Sequence, residues 1–282
     1  MLSIIVCSID KDKCLRLQEN IRDTIGEDVT YEFIVHDNLR EGRPIAQVYN
    51  SAASASRYPY LLFIHEDAGF ITHGWGKTII SKLGQKDCGV IGFAGSKVLV
   101  NAPGGWHSNP EWSVYHYIEC GTELMLNISP DATFCEVAAI DGFAMFVSKE
   151  VWEGCKFDEK RLTGFHCYDI DFSLAVGEKY RNYVCTGILT YHDSGGNFNP
   201  LWLKQTGELY ENKWKTVLPR VVITVEEDDL VKEEEKVWYR YLKRCLRYKI
   251  KPIAASKVFR RYPLTPKHLS HLLKYYFIRT IR

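Results

Sequence analysis

The sequence predicts an α/β fold in which a mostly parallel sheet is flanked by helices, and three observations support this. The run Leu2–Cys7 is apolar and rich in β-branched residues without polar alternation, which is typical of a parallel strand buried on both faces. Strand-like and helix-like segments alternate three times in roughly the first 95 residues, which indicates right-handed crossovers. Acidic residues follow the second and third strands, at the sheet edge where such folds bind ligands.

The remaining elements are assigned from hydrophobic periodicity, turn residues and caps. Asp10 or Asp12 is expected to cap a helix after the first strand. Further strands are predicted over Tyr31–Val35, Tyr60–Ile64, Gly89–Phe93, Glu136–Val147 and Asn182–Leu189. Further helices are predicted over Ile45–Ser56, Trp75–Leu83, Lys149–Gly154 and Tyr168–Lys179. The stretch 97–133 lacks clean periodicity and is predicted to be a long aromatic loop.

Charge divides the chain into an acidic body and a basic tail. Residues 1–225 hold 21 basic and 28 acidic side chains, a net charge of −7, whereas residues 236–282 hold fourteen Lys and Arg and no acid. The run 226–235 between them holds seven acids and one Lys. We therefore expect a main domain over 1–225, then an acidic hinge and a basic, aromatic helical extension over 226–282. Helices are predicted there over Glu233–Tyr248 and His268–Ile281.

Cysteine usage and hydropathy indicate a protein of a reducing compartment. The nine Cys are scattered, with no CxxC pair, and their number is odd. No basic segment precedes an apolar run at the start, so no signal peptide is recognised. No apolar stretch approaches the ~20 residues that span a bilayer. We expect a cytoplasmic body.

Four sequence elements carry side chains suited to metal binding or proton transfer. They are Asp37, the triplet His65-Glu66-Asp67, the first-turn acids Asp169 and Asp171, and His192. Carboxylates bind hard cations such as Mg²⁺ and Mn²⁺, and Mn²⁺ also tolerates imidazole. A separate carboxylate can accept a proton from an attacking hydroxyl. Structural explanations exist for each of them: a turn residue, a helix cap, a backbone contact or a favourable helix-dipole position.

Six stretches in a fixed order resemble one enzyme family. They are YEFIVHDN, IAQVYNSAASA, YPYLLFIHEDAGF, AAIDGFAMFVSKEVW, FDEKRLTGFHCYDIDFSLA and TYHDSGG. Together they resemble the family 2 glycosyltransferases of the GT-A fold, in the bacterial branch that carries His-x-Asp in place of Asp-x-Asp. The resemblance covers about residues 1–200, and no single stretch is specific by itself. It implies transfer of a sugar from a nucleotide-diphosphate donor.

The resemblance also implies roles for residues on the donor side. Asp37 stands where the family contacts the nucleotide base. Asp67 corresponds to the last Asp of the Asp-x-Asp motif, a metal ligand, and His65 replaces its first Asp among the nucleotide-sugar contacts. His192 stands where many members carry a His near the metal and the diphosphate. The expected cofactor is a divalent cation, Mn²⁺ or Mg²⁺.

On the acceptor side the resemblance assigns the catalytic base to Asp169, the second acid of a Glu-Asp pair whose first position is Tyr168 here. Asp141 matches a segment that lines the acceptor side. Trp106, which follows two glycines, is a candidate for stacking on a sugar, and His166 is a candidate acceptor contact. One base and no enzyme nucleophile imply a single displacement, with inversion at the anomeric carbon.

Two other functions are weighed against this one. A sugar-1-phosphate nucleotidyltransferase needs a Gly-rich, Arg-containing loop after the first strand, where this chain has Ser8-Ile9-Asp10-Lys11. A non-catalytic carbohydrate-binding or assembly protein would not need Asp67, Asp169 and His192 together. The expected partners are a nucleotide-sugar donor and a saccharide or lipid-linked acceptor. The basic, aromatic residues 236–282 favour docking on an anionic membrane or packing on the body over binding of nucleic acid. Formation of an oligomer is left as an open alternative.

Overall fold

The computed structural model of the protein describes residues 1–128, 133–194, 198–262, 265–266 and 268–270. The strands are β1 Leu2–Ser8, β2 Tyr31–Asp37, β3 Tyr60–Ile64, β4 Ala68–Phe70, β5 Cys88–Gly92, β6 Ala94–Ser96, β7 Val98–Leu99, β8 Ser113–Glu119, β9 Glu123–Asn127, β10 Phe134–Val137, β11 Ala139–Ile140, β12 Ala144–Ser148, β13 Arg181–Cys185, β14 Thr190–His192 and β15 Arg220–Val221. The helices are α1 Lys11–Thr24, α2 Ile45–Ala55, α3 Trp75–Leu83, α4 Lys149–Cys155, α5 Tyr168–Gly177, α6 Pro200–Asn212, α7 Glu227–Tyr248 and α8 Ala255–Arg261.

The main sheet has seven strands in the order β10-β13-β5-β12-β3-β1-β2. β1 pairs in parallel with both β2 and β3, which confirms the parallel start that the sequence predicts. β12 runs antiparallel to β3 and β5, and β10 runs antiparallel to β13. Because β13 is parallel to β5, five of the seven strands share one direction. The fold is thus the expected α/β fold with a mostly parallel sheet.

Two hydrophobic cores cover the two faces of this sheet. Ile5 points into a core that includes residues of α2, α4 and α5, and Ile4 points into a core that includes residues of α1 and α3. Both isoleucines have no exposed surface. This accounts for the absence of polar alternation in β1, since successive side chains of a strand point to opposite faces and both are buried.

A second sheet has the order β11-β6-β8-β14-β4 with β9 paired to β8, and its strands β8 and β9 lie where the sequence predicts only a loop. The prediction of a loop over 97–133 was therefore wrong for β8 and β9. Both faces of β8 mix polar with apolar or aromatic residues, so it has no uniformly apolar face that periodicity would detect. The hairpin turns at Cys120 and Gly121, which both have positive φ, and Cys is not a residue that signals such a turn.

The acidic run 226–235 is helical, because α7 continues through it from Glu227 to Tyr248. Its acids lie in the first turns, where the helix dipole stabilises negative charge. One face of α7 is buried, and Trp238 on that face donates from Nε1 to the carbonyl of Asn101 at 3.1 Å. The ring of Trp238 also lies 5.1 Å from that of Tyr210 on α6. The first part of the extension thus packs on the body.

Most of the second predicted tail helix, His268–Ile281, lies outside the described residues. In the part of the tail that the structure describes, Trp238, Tyr239 and Tyr241 are buried. Among all described residues, no helix combines the length and the apolar character that crossing a bilayer requires. The division of the chain at residue 225 stays a prediction.

Candidate active site at the strand ends

The triplet His65-Glu66-Asp67 connects β3 to β4 at the carboxyl ends of the parallel strands. The peptide N–H of His65 donates to the carbonyl of Phe143 at 2.9 Å, which fixes the triplet against the chain before β12. β14 pairs antiparallel with β4 so that His192 lies opposite Ala68. This pairing places His192 beside Asp67, although the two residues are far apart in sequence.

His65, Asp67 and His192 form a cluster in which one donor atom of each side chain lies within 4.8 Å of the others. His192 Nε2 is 3.5 Å from Asp67 Oδ1, and His65 Nδ1 is 3.4 Å from His192 Nε2 and 4.0 Å from Asp67 Oδ1. Two imidazoles and one carboxylate form a donor set that suits a first-row divalent ion such as Mn²⁺. The residues present therefore fit the divalent cation that the sequence implies.

The charge states of His65 and Asp67 also suit metal binding. Burial, together with the positive charge of His192, lowers the pKa of His65 to about 4, so its ring is neutral at pH 7. Burial raises the pKa of Asp67, but the hydrogen bond from His192 and the charges of His65, His192 and Lys13 outweigh it and lower that pKa to about 2. Burial lowers the pKa of His192, and the contact with Asp67 reverses this. Neutral imidazole and ionised carboxylate are the forms that bind metals.

Tyr168 fixes the orientation of His65. The Tyr168 hydroxyl donates to the carbonyl of Gly142 at 3.0 Å and lies 2.6 Å from His65 Nε2. With the Tyr168 hydroxyl donating to Gly142, the proton of its second hydrogen bond comes from His65 Nε2. The lone pair of His65 is then on Nδ1, which faces Asp67 and His192. Partners of this kind orient a ligand and select its tautomer.

Glu66 points away from the cluster and organises the loop after β1. Its Oε2 accepts hydrogen bonds from Ser8 Oγ at 2.5 Å and from the peptide N–H groups of Ile9 and Asp10, each at 3.1 Å. Asp10 in turn caps α1 by accepting from Asp12 N and Lys13 N. Lys13 then places its Nζ 4.0 Å from Asp67 Oδ2. Glu66 therefore connects the metal-site triplet to the start of α1.

Asp169 lies in the first turn of α5, directly after Tyr168 and next to Asp141. Its side chain is half-buried. Burial and the negative charge of Asp141 raise its pKa to about 7, against the opposing effect of nearby peptide N–H groups. Both oxygens of Asp141 accept hydrogen bonds, from Trp106 Nε1 at 2.7 Å and from Phe143 N at 3.0 Å. The raised pKa brings Asp169 near the value that a general base needs at neutral pH.

The other first-turn acid of α5, Asp171, has a structural role. It is buried and accepts from Lys213 Nζ at 2.8 Å and from Trp214 Nε1 at 2.9 Å. These contacts tie α5 to the segment after α6. They leave Asp171 no surface from which to reach a substrate.

The remaining predicted site residues are spread around this centre. Trp106 is joined to Asp141 by the hydrogen bond described above. His166 lies half-buried just before α5; burial lowers its pKa, and a hydrogen bond with Asn199, the residue before α6, opposes this. Asp37 is more distant: it lies at the end of the edge strand β2, largely exposed, with Oδ2 3.6 Å from Lys11 Nζ. The structure thus brings together His65, Asp67 and His192, and separately Asp141, Trp106 and Asp169.

Sequence reasoning missed three residues at this site. The sequence shows Tyr168 only as a departure from a Glu-Asp pair. A signal existed, because Tyr168 and His65 each replace the first acid of a motif, and two such departures can compensate for each other. Lys13 carried no signal, because its proximity to Asp67 depends on the Glu66 contacts. Phe143, whose ring stacks on His192 at 4.9 Å and 14°, looked like an ordinary core residue.

Comparisons with known proteins agree with this geometry. Residues 3–215 match a protein-family model described as a glycosyltransferase-like family. Among solved structures, the chain is similar to S. aureus TarS 1–349 in complex with UDP-GlcNAc (TM-score 0.53, 12% identity, 98% of this chain and 89% of that chain covered). It is also similar to the mannosyltransferase PcManGT from Pyrobaculum calidifontis in complex with GDP-Man and Mn²⁺ (TM-score 0.51, 10% identity, 99% and 86% covered).

A third similar structure is GalNAc-T7 with UDP, GalNAc and Mn²⁺ (TM-score 0.52, 10% identity, 94% and 58% covered). At these identities the likeness establishes the fold alone. A search of curated protein sequences finds no match.

Proposed function

We propose that this chain, which belongs to the glycosyltransferase-like family and is a glycosyltransferase of the GT-A fold, transfers a sugar with inversion. The sugar moves from a nucleotide-diphosphate donor to an acceptor hydroxyl. The acceptor class is a saccharide or a lipid-linked saccharide. The observation that carries the proposal is the Asp169 carboxylate, whose pKa burial and Asp141 raise to about 7.

The donor side of the proposal is the cluster of His65, Asp67 and His192. These three residues would hold Mn²⁺ or Mg²⁺, and the bound ion would neutralise charge on the diphosphate leaving group. Two imidazole donors favour Mn²⁺, since Mg²⁺ prefers oxygen ligands. Mn²⁺ accompanies the nucleotides bound to two of the similar structures, which supports the same choice here. Asp37, at the end of β2, remains the candidate for contact with the nucleotide base.

The acceptor side supplies the base and no nucleophile. In the proposed step the acceptor oxygen attacks the anomeric carbon and gives its proton to Asp169. The bond from that carbon to the diphosphate oxygen breaks, and the nucleoside diphosphate leaves with the electron pair. Asp141 is a poor nucleophile because Trp106 and Phe143 donate hydrogen bonds to its two oxygens. A single displacement, and hence inversion, follows.

The stereochemical outcome tests this mechanism directly. The full chain is incubated with Mn²⁺ and a panel of α-linked UDP- and GDP-sugars, and donors that are consumed are followed by proton NMR. We expect a β-configured product or, when water is the acceptor, a β-configured free sugar as the first product. A first product of α configuration would overturn the assignment of Asp169 as base in a single displacement.

We further propose that residues 236–282 dock the protein on an anionic membrane surface on the cytoplasmic side, close to lipid-linked acceptors. Because Trp238, Tyr239 and Tyr241 are buried, the proposal depends on exposed basic residues such as Arg247, Lys249 and Lys251. The aromatic residues Tyr275, Tyr276 and Phe277 lie outside the described residues. Each basic side chain near an anionic surface contributes about 1 kcal/mol.

Vesicle flotation tests this docking. Deleting the tail would remove the buried face of α7, so the comparison uses the triple variant R247Q/K249Q/K251Q. The full chain should float with vesicles that contain anionic lipid, less so at high salt, and the variant should float less. Equal flotation of both proteins, or none by the full chain at low salt, would contradict the proposal.

A further inference from the structure

A cleft opens beside Trp106, between the loop 103–108 and the helices α6 and α7. It encloses about 290 Å³ when the space open to solvent at its mouth is counted. The lining side chains that matter most are basic or aromatic: His107, Trp202, Arg240 and Arg244. The sequence gives no sign of this cleft, because its walls come from segments about 140 residues apart.

Two glycines allow the loop to form one wall of the cleft. A Cβ at Gly105 would lie 2.7 Å from the ring of His107, and a Cβ at Gly104 would lie 2.8 Å from Val237 on α7. Side chains at these positions would push the loop away from the helix. The Gly104-Gly105 pair is therefore needed for the close approach that makes the cleft.

Among the described residues, the two arginines of the cleft have no acidic partner. In the described part of the chain, no carboxylate oxygen lies within 4.0 Å of Arg240 or Arg244. Arg240 donates to the carbonyl of Ser108 at 3.3 Å. Arg244 lies over the rings of Phe198 and Trp202, with its Cζ 4.9 and 5.6 Å from their centroids. Both arginines are half-buried, so each has lost part of its hydration without gaining a counter-charge.

This arrangement leaves hydrogen-bond donors free for an anion. A guanidinium that stacks on aromatic rings keeps its N–H groups along its edge, where a carboxylate or phosphate binds in a bidentate manner. The positive charges of Arg244 and Arg240, after burial, help to lower the pKa of His107 to about 4. Burial and the charges of Arg240 and Arg247 likewise lower the pKa of Arg244. The potential in the cleft is therefore positive.

The cleft continues into the acceptor side of the active site. The rings of Trp106 and His107 are 5.7 Å apart, and Trp106 donates to Asp141, whose charge acts on Asp169. The ring of His107 lies 4.7 Å from Phe198, which precedes Asn199, the partner of His166. Asp37, the candidate nucleotide contact, lies instead at the edge strand of the main sheet.

We propose that Arg240 and Arg244 bind an anionic group, a carboxylate or a phosphate, on the saccharide acceptor. This rests on the proposed function, since it assigns the acceptor of that reaction to the class of acidic saccharides. Trp106 borders this anion subsite through His107 and donates to Asp141, whose charge acts on the candidate base Asp169, so the sugar that carries the anion is held on the side of the base. The long side chains of α7 thus select the acceptor.

The test measures binding of small probes to the full chain in metal-free buffer, by saturation-transfer NMR and isothermal titration. Tetragalacturonate is compared with its fully methyl-esterified form, and galactose 1-phosphate with galactose, so that each pair differs in charge. We expect the anionic member of at least one pair to bind about 10- to 100-fold more tightly, as charge-assisted hydrogen bonds require. Preference within the first pair identifies a carboxylate ligand, and within the second a phosphate.

Variants assign any preference to the two arginines. The double variant R240Q/R244Q should lose the preference, R240K/R244K should keep part of it, and K204Q/K215Q, which removes two exposed charges on and just after α6, should keep all of it. Thermal melting checks that each variant is folded. No preference in either pair, or an undiminished preference in R240Q/R244Q, would overturn the proposal.

A separate measurement distinguishes this inference from the proposed function. UDP and GDP are titrated into the same proteins in the presence of Mn²⁺. Nucleotide binding without an arginine-dependent preference for anions would refute the acceptor subsite alone. Arginine-dependent binding of the anionic probes without any nucleotide binding would instead refute the proposed transfer reaction and leave an anionic-saccharide site.

Discussion

The hydroxyl of Tyr168 lies 2.6 Å from Nε2 of His65 and donates its own proton to the carbonyl of Gly142. A histidine stands where the resemblance gives the first acid of one motif, and a tyrosine where it gives the first acid of another. The structure joins these two departures in one hydrogen bond. The tyrosine holds the histidine as the tautomer whose Nδ1 faces Asp67.

Replacing Tyr168 by Phe should weaken metal binding without unfolding the protein. His65 would lose the acceptor for its Nε2 proton, and loss of such a partner costs about 10- to 100-fold in metal affinity. Titration of Mn²⁺ followed by electron paramagnetic resonance measures this. The matched control is Y210F, which removes a hydroxyl that bonds to Asn101 away from the site. Equal Mn²⁺ affinity in Y168F and wild type would show that Tyr168 does not position His65.

Asp67→Ala should abolish metal-dependent binding of a nucleoside diphosphate. The variant keeps only neutral imidazole ligands, which do not offset the charge of a divalent cation. His192→Ala should weaken the same binding less, because a neutral ligand is lost. Calorimetric titration of UDP and GDP with and without Mn²⁺ checks both, with D193A as the control for an exposed neighbouring acid. If D67A binds nucleotide as wild type does in Mn²⁺, Asp67 is not a ligand.

Asp169→Asn should stop transfer and leave nucleotide affinity nearly unchanged, because the shape is kept and the proton acceptor is lost. The expected loss of rate is about 10²- to 10⁴-fold. Asp171→Asn should instead lower stability by roughly 1–3 kcal/mol, since Lys213 and Trp214 lose a charged partner. Rates of donor consumption and thermal melts separate the two. An active D169N variant beside a well-folded but inactive D171N variant would reverse the assignment.

The raised pKa of Asp169 also predicts how stability depends on pH. The unfolded carboxyl releases its proton near pH 4, whereas the folded one holds it to about pH 7. Folding is therefore penalised increasingly between these values and fully above pH 7. Metal-free D169N should melt higher than wild type at pH 8 and at the same temperature at pH 4. An equal melting temperature at pH 8 would mean that the folded environment does not disfavour the charge.

Trp238→Ala should destabilise the whole protein and not only the tail. The side chain is 4% exposed, and a truncation of this kind costs about 3–5 kcal/mol. Urea unfolding should shift as one transition. Val231→Ala on the exposed side of the same helix should change little. A W238A variant with wild-type stability would show that α7 is separable from the body, as the predicted division at residue 225 requires.

The sequence identified those features that local patterns determine. Leu2–Cys7, apart from Ser3, and Tyr60–Ile64 are apolar because both of their faces are buried, and the acids after the second and third strands mark the predicted binding edge. Asp67 and His192 are both predicted metal ligands, and both stand at the ends of predicted strands. The sequence does not show that they touch, which depends on the pairing of β14 with β4.

Other features depend on contacts between distant segments and left no local signal. Both faces of β8 mix polar with apolar or aromatic residues, so only its neighbours in the second sheet identify it as a strand. Arg240 and Arg244 looked like part of a uniformly basic tail, since their positions in a cleft follow from the packing of α7. Tyr168 acquires its role only through His65, about a hundred residues earlier.

The pairing of β14 with β4 has a consequence for synthesis of the protein. Asp67 leaves the ribosome early, whereas the second imidazole of its cluster belongs to a strand 125 residues later. A nascent chain that has not yet exposed His192 holds an incomplete donor set, with one imidazole and one carboxylate. The cluster is therefore completed only after the main parallel strands have emerged, so the full donor set exists only in a chain whose second sheet has closed.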